Sequence, residues 1–285
     1  MIITQALLRQ RARTLPSLPV TVVALGEAVR DDRCTVDRIL GVLAKDPPLS
    51  AAMLRMANSV LFGGEQAVTD LRTAVLRLGF DAVLNLGRTA GVIRTFRGAT
   101  HLDAVLLWQH SVAVGLVSKG ICRILRKNHL AELAFMAGLL HDIGKIALDL
   151  CFPEAYGPVV EAFQKGYPIV EAESALLGIT HAEAGGMLAS DWYFPDVLAQ
   201  AIRRHHDPEE GVFLDNLVSL ADLLVRTRIP NGPPDELLSF SLEEQPSFRT
   251  VFSAAAEETD LERLTFGIDD ELDHAVAFVN LAYQD

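Results

Sequence analysis

Apolar residues recur at spacings of three and four through most of the 285-residue chain, and alternating β-branched runs are almost absent. That pattern predicts an all-α protein. In the first third, Leu15-Pro16-Ser17-Leu18-Pro19 leads into a helix through Val22, Ala24 and Val29. Asp46-Pro47-Pro48 reads as a helix start, a capping carboxylate followed by prolines where a missing N–H costs nothing. The helix it opens sets Leu49, Met53, Met56 and Val60 on one stripe, and Gly63-Gly64 stops it. Thr69-Asp70 opens another, with Leu71, Val75 and Leu78 inward and Gly79 closing it.

The pattern breaks at Arg97-Gly98-Ala99-Thr100, which predicts a boundary there. From Asp103 a helix carries Leu106, His110, Val114, Val117 and Ile121 on one face, so an imidazole interrupts an apolar stripe. The apolar run from Leu133 to Leu140 then stops on His141-Asp142-Ile143-Gly144-Lys145, with His141 continuing the inward face of Ala137. Cys151 to Gly157 reads as a connector of aromatics and turns. Thr180-His181-Ala182-Glu183 has capping-box spacing, which places His181 in the first turn of a helix. The next helix holds Leu198, Ala201 and Ile202, with His205 and His206 each four residues beyond an apolar position. A helix from about Asp215 sets Val218, Asp222 and Val225 on one stripe. After Ile229-Pro230-Asn231-Gly232-Pro233-Pro234 comes acidic sequence, and a last helix capped near Asp269 carries Leu272, Val276 and Val279. The expected division is residues 1–100, 101–228, and a linker with a helical tail over 229–285.

An apolar content of 50% and a mean hydropathy of +0.25 are ample for a core. No uninterrupted apolar segment approaches the roughly 20 residues of a bilayer span, and Met1 to Gln5 lacks a signal-peptide layout. A cytoplasmic protein without membrane contact is expected. Cys34, Cys122 and Cys151 form no Cys-x-x-Cys pair, which points to reduced thiols rather than a zinc knuckle or a disulfide framework. The net charge of −12 argues against duplex nucleic acid as a partner.

One inward histidine is most simply a hydrogen-bonded core residue. The joint pattern is harder to explain in that way. His110, His141, Asp142, His181, His205, His206 and Asp222 all fall on inward faces or at helix starts of successive helices. Burying seven such groups without a compensating ion exceeds what a marginally stable fold can carry. Imidazoles with carboxylates and no thiolate suit iron or manganese, with zinc, cobalt or nickel also compatible. More than four ligands suggests two ions, with Asp142 as the natural bridge and a shared water activated for attack on a phosphoryl centre. Lys145 follows closely enough to aim an ammonium at a phosphate oxygen, whereas Arg203 and Arg204 read as solvated.

The series His110-Ser111, His141-Asp142-Ile143-Gly144-Lys145, His181, His205-His206 and Asp222 resembles the ligand series of the HD superfamily of metal-dependent phosphohydrolases, nearest to its HD-GYP branch. Leu15-Pro16-Ser17-Leu18-Pro19, Asp46-Pro47, Leu54-Arg55-Met56-Ala57-Asn58-Ser59, Leu78-Gly79 and Leu107-Trp108-Gln109-His110-Ser111 resemble the HDOD family, the HD-related output domain of bacterial signalling proteins. Together they cover about residues 14 to 228. The resemblance implies an N-terminal helical subdomain packed on an HD-type helical core that carries the metal site. The chain departs from HD-GYP after His206, where Asp207-Pro208-Glu209-Glu210 replaces a Gly-Tyr-Pro segment, and it lacks the extra glutamate some of those enzymes place before His110.

Three functions follow as expectations. The first is a bacterial signal-transduction protein whose metal centre is structural, ligand-sensing or weakly catalytic, with a signalling protein or a phosphate-containing small ligand as partner. The second is a metal-dependent phosphohydrolase acting on a nucleotide or other phosphoester, with Asp142 and Lys145 as its catalytic residues. The third is a metal-free interaction module.

Overall fold

The computed structural model describes residues 2–13, 15, 20–30, 33–58, 67–80, 98–228 and 241–252, with positions 83, 84, 87, 93, 96, 272, 275, 276 and 279. The fold is all-α, and among the described residues there is no strand. The chain divides into two compact units, residues 16–97 with 276–285 and residues 1–15 with 98–275. Pro16 to Pro19, Val60, Gly63-Gly64, the segment 229–240 and the cap at Asp269 lie outside the described residues.

The smaller unit holds α2 (Val20–Arg30), α3 (Val36–Leu43), α4 (Pro47–Ala57) and α5 (Leu71–Leu78). Its helices start where short polar side chains satisfy orphan N–H groups. Asp46 accepts from Leu49 N and Asp70 from Thr73 N, both at 2.9 Å, and Gly79 ends α5 at a positive φ of 77°. Leu49, Met53 and Met56 are buried along the expected stripe. Asn58 then clasps the returning chain, donating to Val68 O at 2.7 Å and accepting from Val68 N.

The larger unit carries the candidate chemistry. It comprises α1 (Gln5–Ala12), α6 (Ala104–Ile124), α7 (Ala131–Leu140), α8 (Ile143–Cys151), α9 (Pro153–Gln164), α10 (Ile169–Leu177), α11 (His181–Asp191), α12 (Asp196–Arg204), α13 (Phe213–Arg226) and α14 (Pro246–Phe252). The first helix folds with this unit. Ile3 N donates to Leu177 O at 2.7 Å, and Ile3 and Leu8 are buried with Leu148, Tyr156 and Leu177. Each of those two apolar side chains contributes about 1.5–3 kcal/mol by leaving water.

Two expectations about this unit change. Leu106 is 52% exposed, because the line buried through the first turns of α6 runs from Leu107 and Trp108 to His110, a rotation of one residue. Cys151 to Gly157 is not a connector: α8 runs to Cys151, and Pro153 at the first helical position starts α9 after Phe152 alone. By length and composition α6 could cross a bilayer, yet 78% of its apolar window is buried inside the fold. It is a core helix.

Close backbone contact sets the spacing of the helices around the site. A Cβ on Gly138 would lie 2.7 Å from Gly115 Cα, so α6 and α7 meet where neither carries a side chain. A Cβ on Gly144 would strike the His181 carbonyl and come within 2.8 Å of Gly185 N, so α8 and α11 are equally intimate.

Candidate metal centre

His110 sits at the end of the second turn of α6, His141 is the C-cap residue of α7, and Asp142 is the N-cap residue of α8. The one-step break between α7 and α8 thus turns an imidazole and a carboxylate into the same space. His181 opens α11 behind a complete capping box, in which Thr180 and Glu183 satisfy each other's backbone N–H groups. His205 and His206 lie at the end of α12, and Asp222 is on the buried face of α13.

All seven sequence-expected ligands converge. Six of them are buried and His206 is half-buried. Their donor atoms fall into two groups, each with all atoms within 4.8 Å of one another: Asp142, His181, His205 and His206 in one, His110, His141 and Asp222 in the other. Asp142 lies between them. Its Oδ1 is 3.2 Å from His181 Nε2 and 3.7 Å from His205 Nε2, while its Oδ2 is 3.4 Å from His141 Nε2 and 4.0 Å from His110 Nε2.

Three rings are oriented by what holds their other nitrogen. His141 Nδ1 donates to Gly138 O at 2.6 Å, and His205 Nδ1 donates to Ile202 O at 2.7 Å. His181 Nδ1 donates to Glu173 Oε2 at 2.6 Å. A carbonyl can only accept, so the first two rings turn an unprotonated Nε2 inward when neutral. Asp222 Oδ1 accepts from His110 Nε2 at 3.0 Å, and Arg226 donates to Asp222 Oδ2 at 2.8 Å. Lys145 donates to Asp142 Oδ2 at 2.7 Å.

Burial pushes the imidazoles of His110 and His205 below their usual range, and pushes that of His206 down to about 3, with the neighbouring His181 adding to the effect. Burial acts the same way on His181, but the adjacent Glu173 carboxylate outweighs it and the net direction is up. For Asp142 and Asp222 burial works upward, and neighbouring imidazole, ammonium and guanidinium groups overcome it. His141 and Lys145 do so for Asp142 and Arg226 for Asp222, so both carboxyls end well below their ordinary value. Ionised carboxylates with mostly neutral imidazoles are the protonation states a metal requires.

The donor set fits such an ion. Among the described residues His141 Nε2 and Asp142 Oδ1 are buried without a hydrogen-bond partner, an arrangement that costs free energy unless a cation completes it. His181 Nε2 and His206 Nε2 face each other at 2.9 Å, and the His205 and His206 ring centres are 4.1 Å apart. Nitrogen and oxygen donors without a thiolate suit first-row divalent metals.

Sequence reasoning missed Glu173 and Tyr156, which are fully buried beneath His181. A usable signal existed: Ile169, Glu173 and Leu177 form a stripe at spacings of four, the same rule that picks out Asp222. Arg226, four residues beyond Asp222, was also passed over. Arg204 pairs with Glu209 at the rim.

Residues 15–208 match the family model of the HDOD domain. The chain belongs to the HDOD family. Six of the seven convergent residues lie within the matched span, and Asp222 lies beyond it. An HDOD domain protein of unknown function from Geobacter sulfurreducens is similar over 98% of both chains, with 24% identity and a TM-score of 0.82. A provisionally named phosphohydrolase from Shewanella amazonensis SB2B is 25% identical over 96% of this chain and 97% of its own, with a TM-score of 0.76. An uncharacterized protein of Treponema pallidum (strain Nichols) is 25% identical over 256 residues, which are 86% of this chain. The chain spans 50% of the length of that curated relative.

Proposed function

We propose that this HDOD protein is a cytoplasmic signalling module whose two-metal centre recognises a phosphate-containing ligand and passes the bound state to a protein partner. The observation that carries the reading is the position of Asp142, with one oxygen towards each of two separate donor groups. A carboxylate so placed suits a bridge between two ions, iron or manganese by the donor chemistry. Ions bound there supply Lewis acidity to a phosphoryl group. The chain's own contribution is the frame. His141, His181 and His205 are held by their Nδ1 atoms, and the half-buried Lys145 and His206 are the members open to a ligand from solvent in this reading.

A second reading, a phosphohydrolase acting on a nucleotide or other phosphoester, is favoured by the completeness of the donor set and by Lys145 beside it. Family membership alone does not separate binding from turnover.

Elemental analysis of the purified protein, followed by assays of phosphomonoesters, nucleotides and cyclic dinucleotides, tests both. Metal with phosphate binding but no turnover supports the sensor. Turnover abolished by Asp142→Ala supports the enzyme, and a wild-type chain that takes up no transition metal overturns both.

A further inference from the structure

The two donor groups stand in different electrostatic surroundings. Beneath His181, Glu173 is fully buried, and its Oε2 accepts from both the backbone N and Nδ1 of His181, at 2.8 and 2.6 Å. Its Oε1 accepts from Tyr156 Oη at 2.9 Å, which fixes the carboxylate in its plane. Among the described residues His181 is the only ion-pair partner of Glu173. An anion in that apolar cluster gains whenever positive charge arrives at the far side of the ring, because the imidazole relays it. The Nδ1 atoms of His141 and His205 instead donate to backbone carbonyls, of Gly138 and Ile202.

On the other side, cations compete. Arg226 takes Asp222 Oδ2 at 2.8 Å, and Lys145 takes Asp142 Oδ2, the oxygen that faces His141 and His110. Each draws electron density from a carboxylate that an ion in that group would need. One group is thus backed by a buried anion, while the other has its own carboxylate, Asp222, and the Asp142 oxygen that faces it paired to Arg226 and Lys145.

We infer that Glu173 is a positioning residue that makes the centre fill unequally, with a tightly held ion among Asp142, His181, His205 and His206 and a weakly held one among His110, His141 and Asp222. This rests on the two-metal reading above. It also gives that reading a regulatory form. A phosphate group that draws Lys145 and Arg226 off the carboxylates strengthens the weak position, so the second ion and an anionic ligand bind with mutual support.

The test is a titration of metal-stripped full-length protein with Mn²⁺ against a competing chelator. Wild type is expected to show two separated steps, and inorganic phosphate is expected to tighten only the second. Glu173→Gln keeps the shape and the hydrogen-bond acceptor but removes the charge; it is expected to weaken the tight step by about 10- to 100-fold and leave the weak one in place. Arg226→Gln is expected to tighten the weak step instead. Tyr156→Phe leaves Glu173 charged but unfixed, so a smaller loss in the tight step is expected, and it serves where Glu173→Gln fails to fold. Two equal steps in wild type, or a tight step unmoved in both Glu173→Gln and Tyr156→Phe, would overturn the inequality while leaving the two-metal centre standing. No uptake by wild type would overturn the centre itself.

Discussion

Lys145 donates to Asp142 Oδ2 at 2.7 Å, one helical turn along α8, with its side chain only 12% exposed. The ammonium therefore serves a ligand carboxylate and remains within reach of an arriving anion. A charge-assisted hydrogen bond of this kind is worth about 1.5–3 kcal/mol, so Lys145→Ala is expected to weaken binding of inorganic phosphate to the metal-loaded protein by about 10- to 100-fold. Metal content should not fall, because the lysine opposes the ions. Calorimetry with elemental analysis checks both, and unchanged phosphate affinity would remove Lys145 from the ligand site.

His110 and Asp142 differ in how many donor groups they serve. His110 belongs to one, through Asp222 Oδ1 at 3.0 Å, whereas Asp142 faces both. His110→Ala is expected to cost about half the bound metal and to lower the melting temperature of the loaded protein. Asp142→Ala is expected to cost most of it. Equal, small losses in both variants would count against a bridging role.

Why these ligands were readable, and their supports were not, follows from where the signal lies. His110, His205 and Asp222 break apolar stripes, and a polar residue on a buried stripe stands out at the level of spacing. His181 was placed by its capping box, a local feature that the structure reproduces atom for atom. Glu173 broke its stripe equally, but a glutamate in a helix looks ordinary, and nothing local indicates that Tyr156 and His181 lie against it. Asp149 shows the same limit. It is fully buried and gathers the backbone N–H groups of Thr100, His101 and Leu102, nearly fifty residues away. The segment from Cys151 to Gly157 failed for the opposite reason. Its proline and glycine read as turn signals, yet Pro153 occupies a first-turn position where proline is tolerated.

Acid is expected to destabilise the metal-stripped protein. His110, His205 and His206 have folded-state pKa values below their ordinary 6.5, that of His206 at about 3, with burial as the main cause. Between about pH 6.5 and 3 the unfolded chain binds protons that the folded one refuses, so stability is full above that window and falls as pH drops through it. Asp142 and Asp222, also depressed, add losses in the same direction at still lower pH. His181 alone works oppositely, since its raised value stabilises the acidic side and that share fades as pH rises. Three imidazoles against one leave a net loss in acid. Urea midpoints of metal-stripped protein are therefore expected to be lower at pH 5 than at pH 7, and His206→Gln is expected to narrow the gap. Equal midpoints in wild type would refute the assignment.

Asp215 tests the boundary between site and scaffold. It lies on α13 two turns before Asp222 and is 1% exposed, yet among the described residues neither of its carboxylate oxygens has a hydrogen-bond partner. Arg204 Nη1 stands 4.0 Å away and is engaged by Glu209 instead. Burial raises the Asp215 carboxyl above its ordinary value, against the pull of Arg204. A raised carboxyl is protonated more readily in the folded state, so its cost to stability grows as pH climbs through that range and stands in full at pH 7. Removing the charge should therefore help. Asp215→Asn is expected to raise unfolding stability at pH 7 by about 1 kcal/mol, with the gain shrinking towards pH 4 and the metal content unchanged. Loss of metal or of phosphate binding would instead place Asp215 in the site with Asp222. A gain confined to neutral pH would leave it as a weakly paired buried charge that the fold tolerates outside the centre.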